Sequence, residues 1–355
     1  MNNQDTFLQL DRLGIGHYAD HITGEINWND IQAIAEQQGL SAIIVDAVEK
    51  LPDNMRPPKP VLLQWIGETI QGFEFRFEQY KKAIGSLAGF HNQHGYKMMV
   101  IKGYACSLDW PKPEHRPCGD IDIWQFGKQK EVDALLAKEK GIKIDKSHHH
   151  HTVFYWSDFM VENHYDFINI HHHKSNVELD RVLKELAMDD SYSVELCGEK
   201  FYVPSPTFHA FFLMRHTMNH FASSEISMRQ LLDWAFFVKA HGKEVDWKRV
   251  IAEYERFGMM RLFNVFNAIC VEELGFNPTI FPMVQFEPQL KDRVLQEIIS
   301  PSFAEDEPHW LLKRIVFKYR RWKANSWKHE LCYKESMWSA FWSGVWSHLL
   351  KPMSI

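Results

Sequence analysis

The stretch from Val100 to Trp124, VIKGYACSLDWPKPEHRPCGDIDIW, contains the residues that decide the fold. It begins as an apolar run typical of a short buried strand, which ends at Lys102-Gly103. After a proline-containing loop, acidic and aliphatic residues alternate in Gly119-Asp120-Ile121-Asp122-Ile123. Because successive side chains of a strand point to opposite faces, the alternation predicts a second strand with both aspartates on one face and both isoleucines in the core.

The neighbouring carboxylates of Asp120 and Asp122 indicate a metal site. Two carboxylates side by side on one strand repel each other unless a cation lies between them. Hard oxygen ligands of this kind suit Mg²⁺ or Mn²⁺. The sequence therefore predicts Mg²⁺ (or Mn²⁺) as a cofactor, with both aspartates among its ligands.

Three later segments have the pattern of strands: Ile142 to Asp145, His148 to Trp156, and Phe159 to Asn169. Glu162 and Asp166, four positions apart on the last of these segments, would share a face if the strand were regular.

Several elements, in this order along the chain, resemble a bacterial family of nucleotidyltransferases with the DNA-polymerase-β-like fold. The first two are the turn Lys102-Gly103 and the strand Arg116-Pro117-Cys118-Gly119-Asp120-Ile121-Asp122. A His-rich strand at His148 to Trp156 precedes a strand with an acid near a histidine, Met160 to His164. A helical region with Arg229 and Asp233 in an Arg-x-x-x-Asp arrangement follows. The resemblance spans roughly the middle half of the chain.

The resemblance implies an α+β enzyme with a small mixed β-sheet as its catalytic core. It also implies metal-dependent transfer of a nucleoside monophosphate from a nucleoside triphosphate to an acceptor hydroxyl. The nucleotide base and the acceptor, whether a small molecule, a protein or an RNA, stay open. An alternative is a degenerate fold that binds a nucleotide or a partner without catalysis. The intact acid pair argues against it, because unused neighbouring carboxylates lower stability.

The same resemblance assigns the site residues. In the family, a third acid on a strand beside the aspartates completes the metal site. Glu162 is the first candidate for this acid and Asp166 is the alternative, and the choice between them stays open. Asp120, Asp122 and Glu162 would thus be both metal ligands and catalytic residues. Positively charged side chains would neutralise the phosphates, and the glycine of the turn would let the backbone approach them. The residues assigned to nucleotide and phosphate binding are Lys102, Gly103, Arg116, Gly119, Arg229 and Asp233.

Hydrophobic periodicity divides the chain into four parts. These are a helical region at 1–94, the catalytic core at 95–205, a helical substrate-side region at 206–308 and a tail at 309–355. The tail carries nine Lys or Arg against two Glu, and a tryptophan-rich apolar stripe begins at Trp338. A basic amphipathic helix can bind an anionic surface, but such a stripe more often packs in a core. We therefore expect the tail to pack on the helical region.

Histidines form two runs, His148 to His151 and His171 to His173. On a strand, successive residues alternate faces, so a run of four places only two imidazoles on each side. The sequence favours solvated or core-edge histidines over a built zinc site, and the role of the runs stays open. His216 and His220 have the spacing of a zinc-protease pair, but Thr217 replaces the catalytic glutamate, which excludes that class.

Composition narrows the class of protein further. The chain of 355 residues is 45% hydrophobic and 24% charged, with a formal charge of −6, so it lacks the basic balance of many nucleic-acid-binding proteins. Its five cysteines are scattered and form no Cys-x-x-Cys pair, which is typical of a reducing compartment. We find no signal-peptide pattern and no apolar run of the ~18 residues that a membrane span needs. The sequence predicts a cytoplasmic protein.

Overall fold

One mixed β-sheet of six strands is present among the residues that the structure describes. In chain order the strands are β1 (Met99–Val100), β2 (Ile121–Trp124), β3 (His151–Trp156), β4 (Phe159–His164), β5 (Ser193–Leu196) and β6 (Glu199–Tyr202). Their order across the sheet is β3-β4-β2-β1-β6-β5. β2 runs parallel to β4, and β1 parallel to β6, whereas the other neighbours are antiparallel. The predicted small mixed sheet is confirmed.

Helices make up most of the remaining regular structure. They are α1 (Asn3–Gly14), α2 (Trp28–Gln38), α3 (Ser41–Lys50), α4 (Lys59–Thr69), α5 (Arg76–Gln93), α6 (Tyr104–Ser107), α7 (Gln129–Lys140), α8 (Lys174–Ala187), α9 (Pro206–Ser223), α10 (Met228–His241), α11 (Trp247–Phe257), α12 (Met260–Glu272), α13 (Pro288–Ile299), α14 (Leu311–Ala324) and α15 (Ser326–Cys332). Long helical parts therefore precede and follow the sheet, and the predicted α+β class is confirmed. No helix among the described residues has both the length and the apolar character needed to cross a membrane.

The computed structural model describes residues 2–19, 22, 25–171, 173–303, 308, 310–339 and 342. The chain divides into two compact units. The helical unit consists of Met1–Ile70, Met214–Lys243 and Trp247–Met337. The sheet-containing unit consists of Gln71–Leu213, Glu244–Asp246 and Trp338–Ile355. Both units are thus assembled from segments that are distant in sequence.

The core of the sheet-containing unit lies on one face of the sheet. Ile121 and Ile123 of β2 are completely buried there, as the alternating pattern predicts. Aliphatic side chains of α5 and α7, including Leu87 and Leu136, belong to the same buried cluster. Because strand side chains alternate, Asp122 of β2 points to the opposite face of the sheet. Helices α5 and α7 thus pack on one face of the sheet, and Asp122 lies on the opposite face.

Three predicted strands differ from the observed ones. The strand predicted to begin at His148 begins at His151. Ile142 to Asp145 does not form a strand, and only Asp145 makes an isolated antiparallel bridge to Val153. The strand predicted to reach Asn169 ends at His164. It ends because the backbone N–H groups of both Tyr165 and Asp166 donate to the carbonyl of His150, which interrupts the regular alternation of ladder bonds.

The beginning of the basic tail is anchored in the helical unit. Lys328 of α15 is almost completely buried, and its Nζ lies 2.8 Å from a carboxylate oxygen of Glu297 on α13. Farther along the tail, Trp338 and Trp342 are more than half exposed. The rest of the predicted tryptophan stripe lies outside the described residues. Packing of the whole stripe therefore stays a prediction.

Lys328→Met is expected to destabilise the helical unit by about 3 kcal/mol, because it leaves the buried carboxylate of Glu297 without its counter-ion. Adding Glu297→Leu should recover most of this loss, since the double variant buries no unpaired charge. Lys323→Met, at an exposed position of α14, is the matched control and should change the free energy of unfolding by less than about 0.5 kcal/mol. Urea denaturation measures all three. Equal stability of the Lys328 and Lys323 variants would contradict the buried pair.

Candidate active site

The polar face of the sheet collects four side chains from three adjacent strands. Asp122 of β2 is paired in register with Glu162 of β4. In turn, His164 of β4 is paired with His151 of β3. Paired residues on neighbouring strands point to the same side, and Glu162 and His164 share a face because they are two positions apart. The register therefore brings two acids and two imidazoles together.

Asp122 is the most enclosed of these groups. Its side chain is completely buried, and its Oδ1 lies 3.1 Å from Lys102 Nζ and 3.0 Å from His164 Nε2. Burial opposes ionisation of this carboxyl, but the positive charges of Lys102 and His164 outweigh it and hold the pKa of Asp122 below its usual value. Asp122 is thus a carboxylate with two cationic neighbours.

His164 bridges the two acids. Its Nε2 lies 3.0 Å from Asp122 Oδ1 and 3.4 Å from Glu162 Oε2. Burial alone would lower the pKa of His164, but its contacts with both carboxylates raise it to about 9. Burial also works against ionisation of Glu162, yet His164 brings the pKa of Glu162 far below its usual value. Near pH 7, His164 is therefore an imidazolium between two carboxylates.

Lys102 reaches Asp122 from the turn that follows β1. The next residue, Gly103, has φ +62°, a conformation that other L-residues rarely adopt. A Cβ at Gly103 would lie 2.5 Å from the hydroxyl oxygen of Tyr80. That hydroxyl donates a 2.7 Å hydrogen bond to the backbone carbonyl of Asp120. The glycine is therefore required both for the turn and for the contact that ties α5 to the acidic strand.

Asp120 lies just before β2 and is partly exposed. Burial and the neighbouring carboxylate of Asp122 raise the pKa of Asp120, although Lys102 acts in the opposite direction. The pKa of Asp120 thus shifts in the opposite direction to that of Asp122. This difference is typical of two carboxyl groups that share one site.

The ligand atoms of Asp122, Glu162 and His164 lie within 4.8 Å of one another, a group compact enough to hold a cation. Oδ2 of Asp122 is buried and has no hydrogen-bond partner among the described residues. Asp120 does not belong to this group of three. The geometry therefore adds His164 to the two acids Asp122 and Glu162.

Asp166, the other candidate for the third acid, has a different partner. Its carboxylate contacts Nζ of Lys184 on α8. The same lysine lies 2.8 Å from Asp180, whose other oxygen accepts a hydrogen bond from the backbone N–H of Phe167. Glu162, in contrast, is directly paired with Asp122. Asp166 thus belongs to an ion-pair network that holds the segment after β4.

The remaining residues assigned to nucleotide and phosphate binding lie in two different parts of the chain, before β2 and on α10. Arg116 is buried before β2, and Gly119 borders open space where an added Cβ would meet no other atom within 4 Å. Arg229 and Asp233 lie on α10 in the helical unit, where Asp233 is buried. Their role in nucleotide binding stays a prediction.

His164 and His151 are the site residues that the sequence analysis did not assign. A signal for His164 was present, because Glu162 and His164 alternate with aliphatic and polar residues and must share a face on any regular strand. His151 had no such signal. Only its pairing with His164 across β3 and β4 shows that it faces the acids.

A family model described as uncharacterised nucleotidyltransferase matches residues 24–275, more than two thirds of the chain. The match includes β1 to β6 and every candidate site residue named above. Neither the curated proteins nor the solved structures contain a match.

Proposed function

Because the chain belongs to this family of uncharacterised nucleotidyltransferases, we propose that it transfers a nucleoside monophosphate from a nucleoside triphosphate to an acceptor hydroxyl with the help of a divalent cation. The observation that carries the proposal is the parallel pairing of Asp122 with Glu162 on the polar face of the sheet. This pairing places two carboxylates from rigid strands beside Lys102 at the glycine turn. Such an arrangement can hold a cation next to bound phosphates.

The donor set fits a divalent cation. Oδ2 of Asp122 is a buried acceptor that lacks a hydrogen-bond partner among the described residues, and a buried acceptor of this kind needs a proton donor or a cation. Carboxylate oxygen ligands suit Mn²⁺ as well as Mg²⁺. In the proposed reaction Asp120, Asp122 and Glu162 would hold this ion. When bound, it would neutralise phosphate charge and lower the pKa of the acceptor hydroxyl.

The protein's own groups would position the reactants. The acceptor hydroxyl gives up its proton to solvent and its oxygen attacks the α-phosphorus, and the bond to pyrophosphate breaks as the new P–O bond forms. Lys102 and Arg116 would supply positive charge for the triphosphate, and the backbone at Gly103 could approach it closely. Glu162 suits the role of ligand better than that of general base, because its depressed pKa makes its carboxylate a weak proton acceptor. His164 would hold both carboxylates in place.

A second candidate function is nucleotide or partner binding without catalysis. The observation that favours it is the pairing of Asp122 with both Lys102 and His164. These side chains neutralise the buried carboxylate without requiring a metal ion. A chain that had lost catalysis could retain this arrangement as a structural ion pair.

A labelling experiment separates the two functions and the two candidate acids. Wild-type protein is incubated with each of the four α-phosphate-labelled nucleoside triphosphates, Mg²⁺ or Mn²⁺ and a cell extract, and label on any acceptor is measured. Glu162→Gln is expected to reduce labelling at least about 100-fold, because it removes a proposed ligand opposite Asp122. Asp166→Asn, the matched charge-neutralising change, should retain most of the labelling.

Loss of labelling in Asp166→Asn with retention in Glu162→Gln would reverse the assignment of the third acid. If the wild-type protein labels nothing with any of the four nucleotides, the binding function is favoured instead.

A further inference from the structure

Histidines are concentrated where β3 begins. The ring of His151 lies 4.3 Å from that of His150, 4.6 Å from that of His148 and 5.3 Å from that of His164, measured between centroids. The ring of His149 lies 4.7 Å from that of His171. We call His150, His151 and His164 the histidine trio. Their nearest potential ligand atoms lie within 4.8 Å of one another.

His151 is the least satisfied member of the trio. Its side chain is only 7% exposed, and neither of its ring nitrogens has a hydrogen-bond partner among the described residues. Buried polar side-chain atoms in folded proteins are nearly always hydrogen-bonded or bound to an ion. The strand register makes His151 face His164 and thus places the imidazole where two other potential ligands converge. The ring nitrogens of His151 therefore need a binding partner, and the described residues provide no hydrogen bond to them.

Glu162 lies beside two members of the trio and brings a negative charge close to them. One of its carboxylate oxygens lies 3.8 Å from His151 Nε2, and the other lies 3.4 Å from His164 Nε2. Three imidazoles form a ligand set that zinc and similar metals accept in tetrahedral geometry, with a water molecule in the fourth position. Metal–nitrogen bonds of about 2.0–2.1 Å would require the trio to move inward by small side-chain rotations.

We propose that the histidine trio binds a transition-metal ion of the Zn²⁺ or Co²⁺ class. On binding, the metal replaces the proton at Nε2 of His164, and that proton is released to solvent. Asp122 keeps Lys102 as its counter-ion. Mg²⁺ prefers oxygen ligands and binds poorly to a set dominated by imidazoles. The trio therefore selects a different metal from that of the proposed transfer reaction.

The test uses the full-length protein without a polyhistidine tag. Co²⁺ is titrated in the presence of millimolar Mg²⁺ while visible absorption is recorded, and Zn²⁺ is then added as a competitor. We expect one equivalent of Co²⁺ to give a tetrahedral absorption band that Zn²⁺ removes. His151→Ala should weaken Co²⁺ binding at least about tenfold. His171→Ala, at an exposed position in the same histidine-rich region, is the control and should bind as the wild type does.

X-ray absorption of the zinc-loaded wild-type protein provides a measurement that does not depend on the folding of a variant. We expect a shell with at least two imidazole nitrogens. A shell with fewer than two imidazole nitrogens, or Co²⁺ binding that Mg²⁺ abolishes, would overturn the proposal. So would equal Co²⁺ affinities of the His151 and His171 variants.

The outcome of the Co²⁺ titration does not depend on whether the protein catalyses nucleotidyl transfer. Labelled transfer with Mg²⁺ in a protein that lacks the Co²⁺ band would contradict the histidine site alone. A histidine site in a protein that labels no acceptor would leave the inference intact and contradict the proposed reaction.

Discussion

Asp122→Asn is expected both to abolish nucleotidyl transfer and to destabilise the sheet-containing unit. The substitution preserves the shape of a completely buried side chain but removes its charge. Loss of a carboxylate from the proposed cation site should reduce the transfer rate on the order of 10³-fold or more. Lys102 and His164 would also lose a common counter-ion, and breaking a buried charge pair costs about 3 kcal/mol.

Asp120→Asn should have the opposite effect on stability. Burial and Asp122 raise the pKa of Asp120, which means that its ionised form is disfavoured in the folded protein. Removing this charge should leave the unfolding free energy unchanged or increase it, while weakening Mn²⁺ binding. The Asn substitutions of these two acids are thus expected to change the free energy of unfolding in opposite directions, although the acids are only two positions apart.

These effects can be measured with the labelling assay, Mn²⁺ calorimetry and urea denaturation without metal. Asp158→Asn is the matched control, because Asp158 is an exposed aspartate in the turn between β3 and β4. It should be close to wild type in all three measurements. Wild-type Mn²⁺ affinity in both the Asp120 and Asp122 variants would refute the metal site, and a stabilised Asp122 variant would refute its pairing with Lys102 and His164.

A fall in stability between pH 4 and pH 7, suppressed by Asp11→Asn, is the second large effect that we expect. Asp11 lies on α1 in the helical unit and is completely buried, and neither of its carboxyl oxygens has a hydrogen-bond partner among the described residues. Burial raises the pKa of Asp11 to about 7. The carboxyl group is therefore neutral in the folded protein under conditions in which it ionises in the unfolded chain.

The direction of the pH effect follows from proton binding. Below the unfolded pKa of about 4, Asp11 is protonated in both states and does not affect the pH dependence. Between that pH and about 7, only the unfolded chain releases the proton, so ionisation favours unfolding. The shift of the pKa corresponds to roughly 4 kcal/mol of lost stability by pH 8, against a typical total of about 5–15 kcal/mol.

Asp11→Asn should remove this dependence and stabilise the protein by a similar amount at pH 8, with little change at pH 4. Chemical denaturation at pH 4, 6 and 8 measures the difference. Asp5→Asn, at an exposed position on the same helix, is the control and should retain the wild-type pH slope. Parallel pH profiles of the Asp11 variant and wild type would show that the carboxyl is not buried in its neutral form.

Local sequence patterns predicted the parts of the site that depend on one strand at a time. The alternation of acids and isoleucines predicted that Ile121 and Ile123 are core residues, and both are completely buried. The prediction for the isoleucines is confirmed because the two faces of a strand are determined by the positions of residues along the chain, whatever lies beside them. Asp120 was predicted to share the face of Asp122, but it precedes β2 and lies outside the group of Asp122, Glu162 and His164.

The limits of strands are harder to predict because they depend on hydrogen-bond partners. The apolar and β-branched pattern after Phe159 continues beyond His164, but His150 accepts hydrogen bonds from two successive backbone N–H groups and ends the ladder there. Asp166, which lies beyond the end of this ladder, contacts Lys184. No local property of residues 159–169 distinguishes Glu162 from Asp166 as the neighbour of Asp122.

The sequence by itself determined the α+β class, the acid-bearing strand and the face of that strand that carries Asp122. Tertiary structure alone decided that Glu162 is paired with Asp122, that His151 faces His164, and that Lys102 reaches a buried carboxylate. It also decided that Asp11 is enclosed without a hydrogen-bond partner among the described residues. Each of these contacts, and the burial of Asp11, arises from the packing of segments that are distant in sequence. Side-chain alternation acts within a single strand, whereas register, burial and the pKa shifts that follow from them depend on which segments pack together.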